Sequence, residues 1–210
     1  MKGLSDLLGS AAGAQMISGM ARETGQPEDK TADVLSMAMP LLLGAMKKNA
    51  SSPQGAEGLI QALSSRHTGG ILEDMGGLFN GGVDESIKSD GAGILGHVLG
   101  NRQPAVESAL SQQTGIDAGT IAQILKIGAP ILLGFLGQQR ARANVSDAGG
   151  LNSLLGSLLG GQPSQNRDLI TSLIDSDGDG SVLDDVSDMI FGRESTKKGG
   201  LNDILGDLLG

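Results

Sequence analysis

The sequence predicts an all-α protein, and three observations carry that expectation. Apolar residues recur at three- and four-residue spacing along most of the chain, the pattern of a buried helix face. A helix-turn-helix pattern occurs twice at a constant offset. The composition, with 35 Gly, three Phe and no Trp, Tyr or Cys, leaves a core of Leu, Ile, Val, Met and Ala, in which helices meet through small residues rather than aromatic wedges.

The duplication sets the architecture. "ETGQPEDKTADVLSMAMPLLLGAMKK", from Glu23, runs parallel to "QTGIDAGTIAQILKIGAPILLGFLGQQ", from Gln113. Thr24-Gly25 matches Thr114-Gly115, Pro40 matches Pro130, and the run from Leu41 to Gly44 matches that from Ile131 to Gly134, all at an offset of 90. Each copy predicts a helix, a tight turn and a longer helix. Gly25 and Gly115 suit the left-handed position that ends a helix. Glu28 and Asp29 suit a first turn, with Pro27 beside them, and Asp117 is the expected cap in the second copy. Pro40 and Pro130 fall inside the apolar pattern, where each removes a backbone hydrogen bond and is expected to kink or split its helix. The expected domains are a duplicated all-helical domain at 1–160, a helix-loop-helix at 163–192, and a linker with an amphipathic tail at 193–210.

Charge narrows the function classes. A formal charge of -9 and a pI near 4.6 argue against nucleic acid as partner, because phosphate binding needs clustered Lys and Arg. Without cysteine there is neither disulfide nor thiol chemistry. Ser5 and Asp6 interrupt any signal-like apolar segment at the start. The stretch "IGAPILLGFLG" at 127–137 is shorter than the roughly 20 residues of a membrane span. The expected location is the cytoplasm.

A shorter repetition marks the tail. "GGLNSLLGSLLG" at 149–160 returns as "GGLNDILGDLLG" at 199–210, after the polar linker "GRESTKKGG". Leucines at helical spacing form a stripe, and the glycines admit a second backbone. Such a stripe docks on its own domain, on a second copy or on a protein partner. Asp203 and Asp207 argue against a membrane surface.

The acidic loop "DSDGDGSVLDD" at 175–185 is the candidate metal site. Calcium takes six to eight oxygen ligands, which a loop supplies with carboxylates at positions 1, 3 and 5 and a carbonyl at 7, about a glycine at 6. Asp175, Asp177, Asp179, Gly180 and Ser181 stand at those positions, and Val182 follows as apolar anchor. The loop resembles the EF-hand calcium loop and, more loosely, that of dockerins. It departs from the pattern at position 12, which holds Val186 rather than an acid. Either Asp185 closes the loop one residue early, the preferred reading, or water takes the last place. Asp184 is the neighbouring acid. Calcium is the expected ion and magnesium an alternative, with the site locking two helices rather than performing catalysis.

Other constellations yield no active site. His67 and His97, the two histidines, lack metal-ligand spacing and the partners of a catalytic base. No Gly-x-Ser-x-Gly elbow or phosphate-cradling Gly-Lys-Ser/Thr is present.

The stretch "DGAGILGHVLGNRQPAVESALSQQTGIDAGTIAQILKIGAPILLGFLGQQ" at 90–139 resembles the YidB-like family of bacterial proteins of unknown function, over most of 1–160. The resemblance implies a multihelical fold, often continued into an aspartate-rich loop and a Gly-Leu tail, and brings no reaction or ligand with it. The expected function is a non-enzymatic helical assembly module with a structural calcium-type site, self-associating through its Gly/Leu helices. The alternatives are a small-molecule binder or enzyme with a site between the Pro-bearing helices, or a metal-operated switch.

Overall fold

In the computed structural model, which describes residues 3–160, the punctuation anticipated from the sequence is where the helices end. Helix α2 (Ala11–Thr24) stops at Gly25, φ 67°, whose N–H donates to Ala21 O. Helix α7 (Gln103–Thr114) stops at Gly115, φ 73°, whose N–H donates to Ser111 O. Both glycines hold left-handed conformations that a side chain would strain. The long helices follow at once, α3 over Glu28–Asn49 and α8 over Ala118–Arg142. Asp117 caps α8 by accepting from Thr120 N at 2.9 Å and from its hydroxyl at 2.7 Å. Those two bonds, the hydroxyl's foremost, hold the Asp117 carboxyl below its usual range.

The remaining helices are α1 (Leu4–Leu8), α4 (Pro53–Ser65), α5 (Met75–Leu78), α6 (Glu85–Val98) and α9 (Ala148–Leu159). The chain is all-α: no strand occurs among the described residues. It divides into two units, Met1–Ile174 and Asp175–Gly210, and every described residue belongs to the first. The acidic loop and the 193–210 tail lie outside the described residues.

Pro40 and Pro130 split neither helix; α3 and α8 run on through them. Around each proline the helix is buried on every side, residues 38–46 in α3 and 127–137 in α8. This departs from the single apolar face expected of the first-copy helix at Val34, Leu35 and Ala38 and of the second at Ile121, Ile124 and Leu125. A helix apolar all round belongs in the middle of a bundle, and α8 packs with α2, α3, α4, α6, α7 and α9. It is also long and apolar enough to cross a bilayer, more than the 127–137 stretch promised, but 72% of its apolar window is buried in the helical body.

A proline deprives the carbonyl four residues earlier of its N–H. For Pro130 that carbonyl is Lys126 O. Buried Gly91 of α6 lies against this oxygen so closely that a Cβ there would collide with it. The glycine Cα–H is thereby directed at the carbonyl, a weak hydrogen bond of roughly 0.5–1 kcal/mol. The three phenylalanines are used sparingly: Phe79 covers Gly19 of α2 and Phe135 sits in the core, while Phe191 is outside the described residues. Glu23, at the end of α2, holds α6 by an ion pair to Lys88 at 2.8 Å and accepts from Val83 N at 3.2 Å.

Two alanine substitutions on one helix test this packing. Gly96 is exposed with open space around it, so Gly96→Ala should stabilise by up to about 1 kcal/mol through helix propensity. Gly91→Ala should instead destabilise by about 1–3 kcal/mol, because the methyl meets backbone that cannot yield. Urea unfolding of the two variants should shift in opposite directions; a shift of the same sign would contradict the close α6–α8 approach.

Candidate functional site

Glycines on α8 also build the site. Gly137 lies against the His67 carbonyl as Gly91 does against Lys126, and Gly134 sits beneath the Ile71 side chain. The segment after α4 is drawn onto α8 at these two points. His67 is further fixed by its N–H, which donates to Ala62 O at 3.0 Å. The imidazole is delivered to the wall of a cleft between α4 and α6, about 710 Å³ in volume.

The cleft has an apolar floor and polar flanks. Met46 of α3 and Leu133 of α8 contribute below, Ala62 and Leu59 from α4, Ile94 and Val98 from α6. The flanks bring together Asp90, His67, His97, Asn49 and Arg66. Both histidines of the chain, 30 residues apart in sequence, therefore line one cavity.

His67 Nε2 stands 3.6 Å from Asp90 Oδ2, beyond hydrogen-bond length, with side-chain exposures of 10% and 32%. Burial pushes the His67 pKa down; the Asp90 charge opposes this, and Arg66 adds to it. Desolvation wins, so the ring is neutral at neutral pH. His97 lies seven residues after Asp90 on the same face of α6, roughly 10 Å along the axis. Its Nδ1 is 2.8 Å from Gly93 O, a carbonyl that can only accept, so Nδ1 carries the proton and Nε2 of the neutral ring is an acceptor. The His97 carbonyl accepts from Asn49 Nδ2 at 2.8 Å, joining α6 to the end of α3.

Ser65, in the α4 wall, donates its hydroxyl to Gln61 O at 2.8 Å rather than to an imidazole. Among the described residues no three His, Asp or Glu side chains lie close enough to share a metal ion. The proposed metal ligands Asp175, Asp177, Asp179, Ser181 and Asp185 are outside the described residues. Pro40 and Pro130 are buried and line neither this cleft nor a smaller one, about 400 Å³, beside Lys88 and Lys126.

Against known families, the DUF937 model, described as a bacterial protein of unknown function, matches residues 6–139 and 141–210. The chain belongs to this family. The second matched segment takes in the aspartate-rich loop and the Gly/Leu tail, into which the resemblance implied that such proteins often continue. No curated protein and no solved structure matches the chain significantly. The family leaves the cleft unassigned.

Sequence reading placed no function at His67, Asp90 or His97. Asp90 and His97 share a helix face with Ile94, a signal that was present in the spacing. The arrival of His67 opposite them depends on the α8 glycines and has no local signature.

The His67 environment makes stability pH-dependent. Its folded-state pKa lies below the unfolded one, so between the two values the unfolded chain binds more protons and stability falls as pH falls. Urea midpoints measured from pH 7.5 down to 5.5 should drop less steeply for His67→Gln than for the natural chain. Parallel slopes would contradict a buried neutral imidazole.

Proposed function

We propose that this DUF937 protein is a non-enzymatic helical interaction module of the cytoplasm, which self-associates through its Gly/Leu tail and carries a structural calcium-type site in the 175–185 loop. The observation that supports assembly is α9. It is the first copy of the Gly/Leu sequence, and it packs on α3, α4 and α8 with Leu151, Leu154, Leu155 and Leu158 no more than 3% exposed. Asn152 donates to Ala50 O at 3.2 Å. The copy at 199–210 has Leu201, Asn202, Ile204, Leu205 and Leu208 at the same spacing. Its two acids, Asp203 and Asp207, replace Ser153 and Ser157, which are exposed on α9. The tail thus retains every buried position of a docking helix and changes those facing water.

A partner for such a stripe is a second copy of the chain. Among the described residues every Leu, Ile, Val, Met and Phe is buried or partly buried, which directs association to the tail rather than to a bare face of the body. For the loop, the supporting argument remains electrostatic. Asp175, Asp177 and Asp179 stand at alternate positions in the sequence, and three carboxylates so spaced would repel unless a divalent ion relieves them, with Ser181 and Asp185 completing the oxygen set. A second reading, a small-molecule binder, is favoured by the α4–α6 cleft, whose volume falls within the roughly 300–1,000 Å³ of ligand pockets.

Two experiments test these assignments. Light scattering should report a smaller assembly for a chain ending before Gly199 than for the full chain; equal masses would remove the tail as interface. Calorimetric titration with calcium and with magnesium should give binding heat that disappears in the Asp175→Ala, Asp179→Ala double variant. Identical heats in both proteins would end the metal assignment.

A further inference from the structure

We propose that the α4–α6 cleft binds a small amphipathic organic cation, with its amine or ammonium group on Asp90 and its apolar body along Ala62, Ile94 and Val98. The proposal rests on reading the cleft as a ligand site and names the class of ligand. Its argument is one of charge. Asp90 is about two-thirds covered, and its ion-pair partner among the described residues is His67, at 3.6 Å. That imidazole is held neutral by burial, so it does not neutralise the carboxylate. A partly desolvated carboxylate without a cation is costly, and an ammonium ion supplies both charge and hydrogen-bond donors.

The neighbouring groups fit the same ligand. His97 lines the cleft two turns from Asp90, and with Nδ1 committed to Gly93 O the neutral form of its ring would offer Nε2 as an acceptor. Arg66 acts in the opposite sense. It is exposed at the end of α4, where solvent screens its charge, whereas the field of Asp90 acts in a cavity with low-dielectric walls. The carboxylate therefore dominates inside. The chain's net charge of -9 draws cations toward the molecule and disfavours anions. The floor of Met46 and Leu133 accepts an alkyl or aryl body.

The two histidines make the test selective, because all imidazole C–H signals in a proton NMR spectrum of the full chain report on this cleft. The natural chain and Asp90→Asn are titrated at pH 7.5 with n-hexylammonium, n-hexanol and hexanoate, probes that share one apolar body. Hexylammonium should move both imidazole signals and bind at least about tenfold more tightly than hexanol, hexanoate being weakest. In Asp90→Asn the advantage over hexanol should vanish while hexanol still binds, showing that the variant is folded. If hexylammonium binds no better than hexanol in the natural chain, the cleft is a ligand site but the cation assignment is overturned. If none of the probes moves either signal, the reading of the cleft as a ligand site falls with it.

Discussion

The structure turns on a carbonyl that proline sets free. Pro130 removes the N–H that would have bonded Lys126 O, and α6 brings the backbone of Gly91 against that oxygen. In a bundle so poor in aromatic residues, helices gain dispersion energy only by coming close. A glycine facing a proline-freed carbonyl permits a close approach and satisfies part of the lost bond. Through this contact the position of α6 is set, and with it Asp90, Ile94 and His97, the far wall of the cleft.

The near wall depends on the same device used twice on α8. Gly137 receives the His67 carbonyl and Gly134 receives Ile71, so one helix determines where both walls stand. Gly134 and Gly137 therefore serve a purpose that helix propensity opposes: each costs about 1 kcal/mol relative to Ala in a helix, offset by the contact it admits. The central helix is buried all round because it supports α6 on one side and the 67–71 segment on another. Its length and apolarity reflect that task as much as any affinity for lipid.

The cleft's electrostatics follow from its construction. Pressing the 67–71 segment onto α8 removes His67 from water, and a buried imidazole resists protonation. Asp90, less covered, faces that ring at 3.6 Å. The polarity of the site is thus a consequence of unequal burial in two residues brought together by backbone packing. On α9, by contrast, leucines occupy the buried positions and leave no such polar flank.

Much of the local structure was legible in the sequence. Gly25, Gly115 and Asp117 announced their caps because a left-handed turn and an N-terminal carboxylate are local requirements, met within four residues. The all-helical class was legible for the same reason, and the Gly/Leu stretch at 149–160 was legible as a docking stripe. What the sequence did not disclose is that α3 and α8 are enclosed on all sides and that His67 meets Asp90 and His97; whether the prolines would kink or split their helices it left open. Those facts depend on which backbones touch across dozens of residues, and only the tertiary structure decides that. Spacing along a chain states which side chains share a face; the collision or accommodation of two faces is a property of the folded whole.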